Sequence, residues 1–172
     1  VIDECSQSME IACWIVLPQA HKTILAGDHL QLPPTVISED AARKGLSYTL
    51  MERVIDKWND DVVKMLTTQY RMHESIMTWS SDALYDGKLG AHDSVRRHLL
   101  KDLPNVTSNE NTAAPLVLID TAGCDMFELE TPDEISKANE GEVALVCIHV
   151  DELVRSGVDP TEIAVITPYN LQ

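Results

Sequence analysis

Basic residues are scarce in this chain. Its 172 residues carry 13 Lys and Arg against 28 Asp and Glu, a formal net charge of −15. Phosphate backbones reward clustered Lys and Arg, so composition alone argues against nucleic-acid binding by bulk electrostatics. The acid is unevenly spread. Residues 120–142 hold eight acidic side chains and a single base, Lys137, which leaves the remaining surface less hostile to a polyanion. No apolar run approaches the ~18 residues of a membrane span, and the sequence shows no signal peptide, low-complexity tract or internal repeat. The four cysteines, Cys5, Cys13, Cys124 and Cys147, form no CxxC pair, and their spacings fit neither zinc nor a small disulfide framework. The expectation is reduced, mostly buried thiols and, with them, a cytoplasmic and nuclear protein. His21, His29, His73, His92, His98 and His149 form no metal-ligand pattern and are read as surface or packing residues.

An apolar fraction of 44% is enough for a core. Val1-Ile2 reads as the end of a buried strand, so the chain is expected to be a piece of something longer. A helix follows around Met9–Trp14, then a short buried strand at His21–Ala26 closed by Gly27. Leu46, Leu50, Met51, Val54, Ile55 and Trp58 recur at helical spacing, with Ser47 as the expected N-cap. Val62–Leu66 is a third strand candidate, and Ile76, Ala83 and Leu84 mark another helix. From Gly87 to Pro115 the pattern loosens into polar residues, as in a linker. Leu116–Ile119 then reads as a strand, Val143, Val146, Cys147, Val150, Leu153 and Val154 as one helical face, and Ile163–Ile166 as a strand. Short continuous apolar strands alternating with helices predict an α/β fold with a parallel sheet covered on both faces. Trp14, Trp58 and Trp79 fall on predicted helices and are expected to pack in the core or between domains.

Polar and special residues cluster just after the strands, where ligands bind in open α/β sheets. Asp3-Glu4 could hold Mg²⁺ through oxygen ligands and polarise a water; read alone, such a pair is more often two solvated acids in a loop, and the buried strand expected before it narrows those odds. Gly27, Asp28, Gln31 and Pro33-Pro34 form either a polar mouth at a strand end or merely a stiff αβ loop; Gly27 is expected to allow a turn that other residues resist. In Gln69-Tyr70-Arg71-Met72-His73 an arginine at a domain edge could reach a transferring phosphate, or could pair with its aromatic neighbour at a helix start. Arg96, Arg97 and Lys101 make a small basic patch, either a solvated face or a phosphate contact.

Taken together, VIDECSQ, GDHLQLPP, QYRM and VITPYNLQ occur in the order and at the distances of motif II (a DExx Walker B), motif III, the arginine-bearing segment and a second-domain motif of superfamily 1 helicases of the up-frameshift type. The chain resembles that family over essentially its whole length. The resemblance implies a RecA-like, P-loop NTPase motor. Residues 1–86 would end the first RecA-like domain, 87–115 would link, and 116–172 would begin the second. It implies ATP and Mg²⁺ as ligands and single-stranded RNA and DNA as partners of an ATP-dependent helicase moving 5′ to 3′. It implies that Asp3 holds Mg²⁺, Glu4 is the general base, Gln31 senses the γ-phosphate with Asp28 supporting its loop, Arg71 is the arginine finger and Tyr70 packs on adenine. Pro33, Pro34, Thr167, Pro168 and Tyr169 would lie along the nucleic acid.

Two departures matter. Cys5 stands in the motif II tail where Ala commonly does, a small residue for a small residue. No G-x-x-x-x-G-K-S/T occurs, so the phosphate cradle is expected upstream, and these residues by themselves are expected to be inactive. A non-enzymatic scaffold and an NTPase switch that never moves on nucleic acid are the competing readings.

Overall fold

A computed structural model describes residues 1–129 and 136–172; part of the acidic 120–142 stretch lies outside them. The chain forms two compact units, Val1–Leu66 and Thr67–Gln172.

The first unit is organised by a parallel backbone exchange. Ile2 bridges Leu25, with Ile2 N–H donating to Ile24 O (2.9 Å), Ala26 N–H to Ile2 O (2.8 Å) and Cys5 N–H to Ala26 O (3.0 Å). The expected strand at His21–Ala26 is therefore only a bridge, and Ile24 is exposed rather than buried. Helix α1 covers Glu10–Val16 and α2 Glu39–Ala41, which continues into a wider turn at Ala42–Leu46 broken by Gly45 at φ 96°. Helix α3, Leu50–Trp58, starts two residues later than expected: Thr49, not Ser47, is its N-cap. The reason is a capping box, in which Thr49 Oγ1 accepts from Glu52 N–H at 3.2 Å and Glu52 Oε2 accepts from Thr49 N–H at 2.7 Å. Arg53 pairs with Glu10 at 2.6 Å and ties α3 to α1; the same carboxylate accepts from the Trp14 indole at 2.9 Å.

In the second unit, β1 (Thr68–Gln69) pairs in parallel with β2 (Gly90–Ala91). Helix α4, Glu74–Leu84, connects them, as a βαβ crossover requires. Ser81, buried on α4, clasps the return, donating to Leu89 O at 2.9 Å and accepting from Leu89 N–H at 3.2 Å. The loosely patterned 87–115 segment is thus ordered, with β2, a 3₁₀ turn at Leu100–Asp102 and α5 at Glu110–Ala113. Asn109 caps α5 and bonds Ser156 Oγ at 2.8 Å, while Asn111 reaches Glu152 at 3.1 Å. These bonds fasten α5 to the end of α6, Glu140–Arg155. Helix α6 lies beside Ile119 and Ile163–Ile166 along an apolar groove of about 480 Å³.

Three expected strands are not strands here. Val62–Leu66, Leu116–Ile119 and Ile163–Ile166 make no ladder among the described residues, and Leu118 (89%) and Ile166 (91%) are open to solvent. An apolar run becomes a parallel strand only when a neighbouring backbone takes up its N–H and C=O groups, and none among the described residues forms such a ladder with these runs. The tryptophans are not core residues: all three are exposed, Trp79 at 73%. Of the cysteines, all free, Cys5 and Cys13 are buried and Cys124 and Cys147 exposed.

Gly157 terminates α6 at φ 100°, and a Cβ there would lie 2.2 Å from Asn105 O. Gly157→Ala is therefore expected to cost about 2 kcal/mol or more, through left-handed strain and a backbone clash, read as a lower unfolding midpoint in denaturant.

Candidate functional site

Asp3 and Glu4 leave the end of the Ile2 bridge as exposed carboxylates. Glu4 holds φ 51°, a left-handed conformation uncommon for a side-chain-bearing residue. It is fixed there by neighbours: Asp3 Oδ1 accepts the Glu4 N–H at 3.0 Å, and Gln7 Nε2 donates to Glu4 Oε2 at 3.0 Å. The turn then dives inward, with Cys5 and Ser6 buried. Cys5 Sγ meets Met51 Sδ of α3 at 3.6 Å. Burial pushes the Cys5 thiol up from its ordinary value, and Cys13, Asp3 and Glu4 push the same way. Cys5 is thus a neutral packing residue, as its small size in the motif predicts.

The 27–34 loop lies directly against this turn. Asp28 N–H donates to Ser6 Oγ at 3.2 Å. The Asp28 carboxylate in turn accepts from Gln31 Nε2 at 2.8 Å and from Leu30 N–H at 3.0 Å. Gly27 is needed for proximity rather than for an unusual turn: it is not among the glycines at positive φ, but its Cβ would meet Ser6 N and Ser6 Oγ at 3.1 Å and Cys5 N at 3.2 Å. Pro33 is exposed and Pro34 buried. The turn that carries Asp3 and Glu4 and the loop that carries Asp28 and Gln31 are thus joined through Ser6.

Tyr70 and Arg71 belong to the second unit. Gln69 builds their turn by itself: its Oε1 accepts from Arg71 N–H at 2.8 Å and Met72 N–H at 2.9 Å, and its Nε2 donates to Met72 O at 2.7 Å. Arg71 is exposed and makes no ion pair among the described residues. Tyr70 stacks on His92 with ring centroids 4.4 Å apart. Arg96 is no free cation for phosphate, being committed to Glu74 at 2.8 Å and Asp93 at 3.2 Å. Thr167, Pro168 and Tyr169 are exposed in a separate turn, where Tyr169 N–H donates to Thr167 Oγ1 at 3.3 Å.

Sequence reading did not single out Ser6, Gln69 or His92 as contributors. Gln69 and Ser6 lie inside recognised strings, but Ser6 and His92 act on partners 22 residues away, which no local pattern marks. No group of three or more His, Cys, Asp or Glu side chains suited to a metal occurs among the described residues.

Two families described as AAA domain match the chain, one over residues 1–39 and one over 46–172. The chain is 58% identical over 172 residues to DNA-binding protein SMUBP-2 of Mus musculus, covering all of itself and 17% of that protein. It is 44% identical over 188 residues to DNA polymerase alpha-associated DNA helicase A of Saccharomyces cerevisiae, covering 27% of it. It is 39% identical over 178 residues to an ATP-dependent helicase of Methanocaldococcus jannaschii, covering 25%. In each case the chain spans well under half of the relative.

Gly27→Ala is expected to crowd Ser6 and destabilise the protein by about 1–3 kcal/mol, the usual cost of overpacking. Equilibrium denaturation checks this, and an unchanged midpoint would refute the close-approach explanation.

Proposed function

The chain belongs to the AAA-domain helicases of superfamily 1, up-frameshift type, and from that membership we propose that the protein containing it is an ATP-driven translocase on single-stranded RNA and DNA, moving 5′ to 3′. In this reading the chain ends one RecA-like domain (1–86), crosses a connection (87–115) and begins a second (116–172). ATP is bound between the two domains, and the P-loop lies outside these residues. The reading includes a cytoplasmic and nuclear location.

One observation carries the proposal: the turn that carries exposed Asp3 and Glu4, at the end of a parallel pairing, is joined through Ser6 to the loop that carries Asp28 and Gln31. Glu4 takes a proton from the attacking water. Its locked backbone and the Gln7 contact hold the carboxylate before substrate arrives, which lowers the cost of orientation. Gln31, steadied by Asp28, contacts the γ-phosphate. Arg71, exposed and without an ion pair among the described residues, in a turn fixed by Gln69, neutralises charge developing on the transferring group. Tyr70, backed by His92, offers its other face to adenine. Asp3, a lone exposed carboxylate with one oxygen already accepting from Glu4 N–H, fits a Mg²⁺ ion that keeps most of its waters. When bound, Mg²⁺ supplies charge neutralisation on the phosphates. Pro33, supported by buried Pro34, and the Thr167-Pro168-Tyr169 turn contact the nucleic-acid strand, and domain closure and reopening step them along it. The SMUBP-2 and helicase names of the relatives support the nucleic-acid partner, and these few contacts replace the bulk positive charge that the chain lacks.

In the full-length protein, Glu4→Gln should cut nucleic-acid-stimulated ATPase by roughly 10² or more, the worth of a general base, while ATP binding survives. Near-normal turnover would refute the role of Glu4. ATPase that nucleic acid does not stimulate would favour a switch, and none at all a scaffold. The 172 residues alone, without a glycine-rich phosphate loop, should hydrolyse no ATP; robust turnover from them would sink this account.

A further inference from the structure

Ser6 belongs to no role assigned above, yet it is the side chain through which the acidic turn grips the Gln31 loop. We infer that Ser6 is a positioning residue that couples the hydrolytic Glu4 to the γ-phosphate sensor Gln31, an inference that rests on the motor reading.

The connection can be followed atom by atom. On one side, Ser6 sits in the single turn Cys5–Gln7 whose first hydrogen bond, Gln7 N–H to Glu4 O (3.0 Å), closes on Glu4 itself. Gln7 also holds the Glu4 carboxylate. On the other side, Ser6 Oγ accepts the Asp28 N–H, and both Asp28 carboxylate oxygens organise the next three residues, ending on the Gln31 amide. Asp28 O also accepts the Gln31 N–H at 3.2 Å. A displacement of Gln31 by phosphate is thus passed through Asp28 to Ser6 and, within one turn, to Glu4.

Burial makes this bond matter. Ser6 is 3% exposed, so water is poorly placed to substitute for its hydroxyl, and the loss of a buried partner costs more than the loss of an exposed one. Gly27 brings the loops close enough for the bond: a Cβ there would lie 3.1 Å from Ser6 N and Oγ, so Ser6 would have to give way by a few tenths of an ångström. The hydroxyl therefore adds something that small size alone does not.

The test uses the full-length protein and nucleic-acid-stimulated ATPase in Ser6→Ala, Ser6→Thr, Gln31→Ala and the Ser6→Ala/Gln31→Ala double variant, with Glu4→Gln as control. Ser6→Ala is expected to lower kcat about five- to tenfold, the worth of one buried hydrogen bond. KM for ATP should stay within about twofold, because the bond orients groups for the chemical step rather than holding nucleotide. Ser6→Thr, which keeps the oxygen, should restore most of the rate. The double variant should be no slower than Gln31→Ala alone, since both changes cut one path. Wild-type kcat in Ser6→Ala, or losses in Ser6→Ala and Gln31→Ala that simply multiply, would overturn the coupling. If Ser6→Ala melts early, Ser6→Thr decides: a retained rate supports the coupling, and a lost rate at the wild-type melting temperature overturns it. Failure of Ser6→Ala while Glu4→Gln still abolishes turnover leaves the motor reading standing. Turnover unaffected by Glu4→Gln removes that reading and the coupling together.

Discussion

The exchange of main-chain hydrogen bonds between Ile2 and the Ile24–Ala26 segment is the constraint from which the first unit's chemistry follows. It is only a bridge long, but it fixes which residues emerge side by side: Asp3-Glu4 from one strand and Gly27-Asp28 from the other. Parallel pairing delivers both exits to the same end, so two short stretches far apart in sequence can build one polar cluster. Everything after the bridge is local elaboration. The Cys5–Gln7 turn anchors inward on Met51, and the loop is drawn against it at a glycine.

Legibility in the sequence divided along the same line between local and non-local bonds. The helices at Glu74–Leu84 and Glu140–Arg155 were readable because their periodicity and caps lie within the segment itself. The start of α3 was misplaced at Ser47 although the signal was present: Thr49 followed three residues later by Glu52 is the pattern of a reciprocal cap, whereas Ser47 has no such partner. The apolar runs at Val62–Leu66, Leu116–Ile119 and Ile163–Ile166 report a preference for burial, but a ladder is a property of two backbones, and composition describes only one. The α/β class with parallel pairing was legible; the extent of the sheet was not.

The site divides likewise. Acid pair, loop and arginine turn were visible as strings because their side chains are set by adjacent residues. The basic patch is partly committed at Arg96, which spacing alone does not reveal: the carboxylate of Glu74 claims it from across 22 residues. The net charge of −15 gives a polyanion little bulk attraction to these 172 residues, so a contact made by them would rest on a few uncharged or singly charged groups. Such an interface would hold its strand with little counterion release, and its affinity would depend weakly on salt.

Gln69 uses its amide at both ends, with the oxygen shared by two N–H groups and one N–H of the nitrogen donated to a carbonyl within the same turn. That makes the position a chemical discriminator between near-isosteres. Glutamate has the same shape and the same acceptors but no donor, and it would set a negative oxygen against the Met72 carbonyl. Methionine fills the volume and abandons all three bonds. A turn that tolerates neither isostere constrains this residue through the polarity pattern of one amide rather than its size, and the orientation of the arginine two residues on is inherited from that pattern.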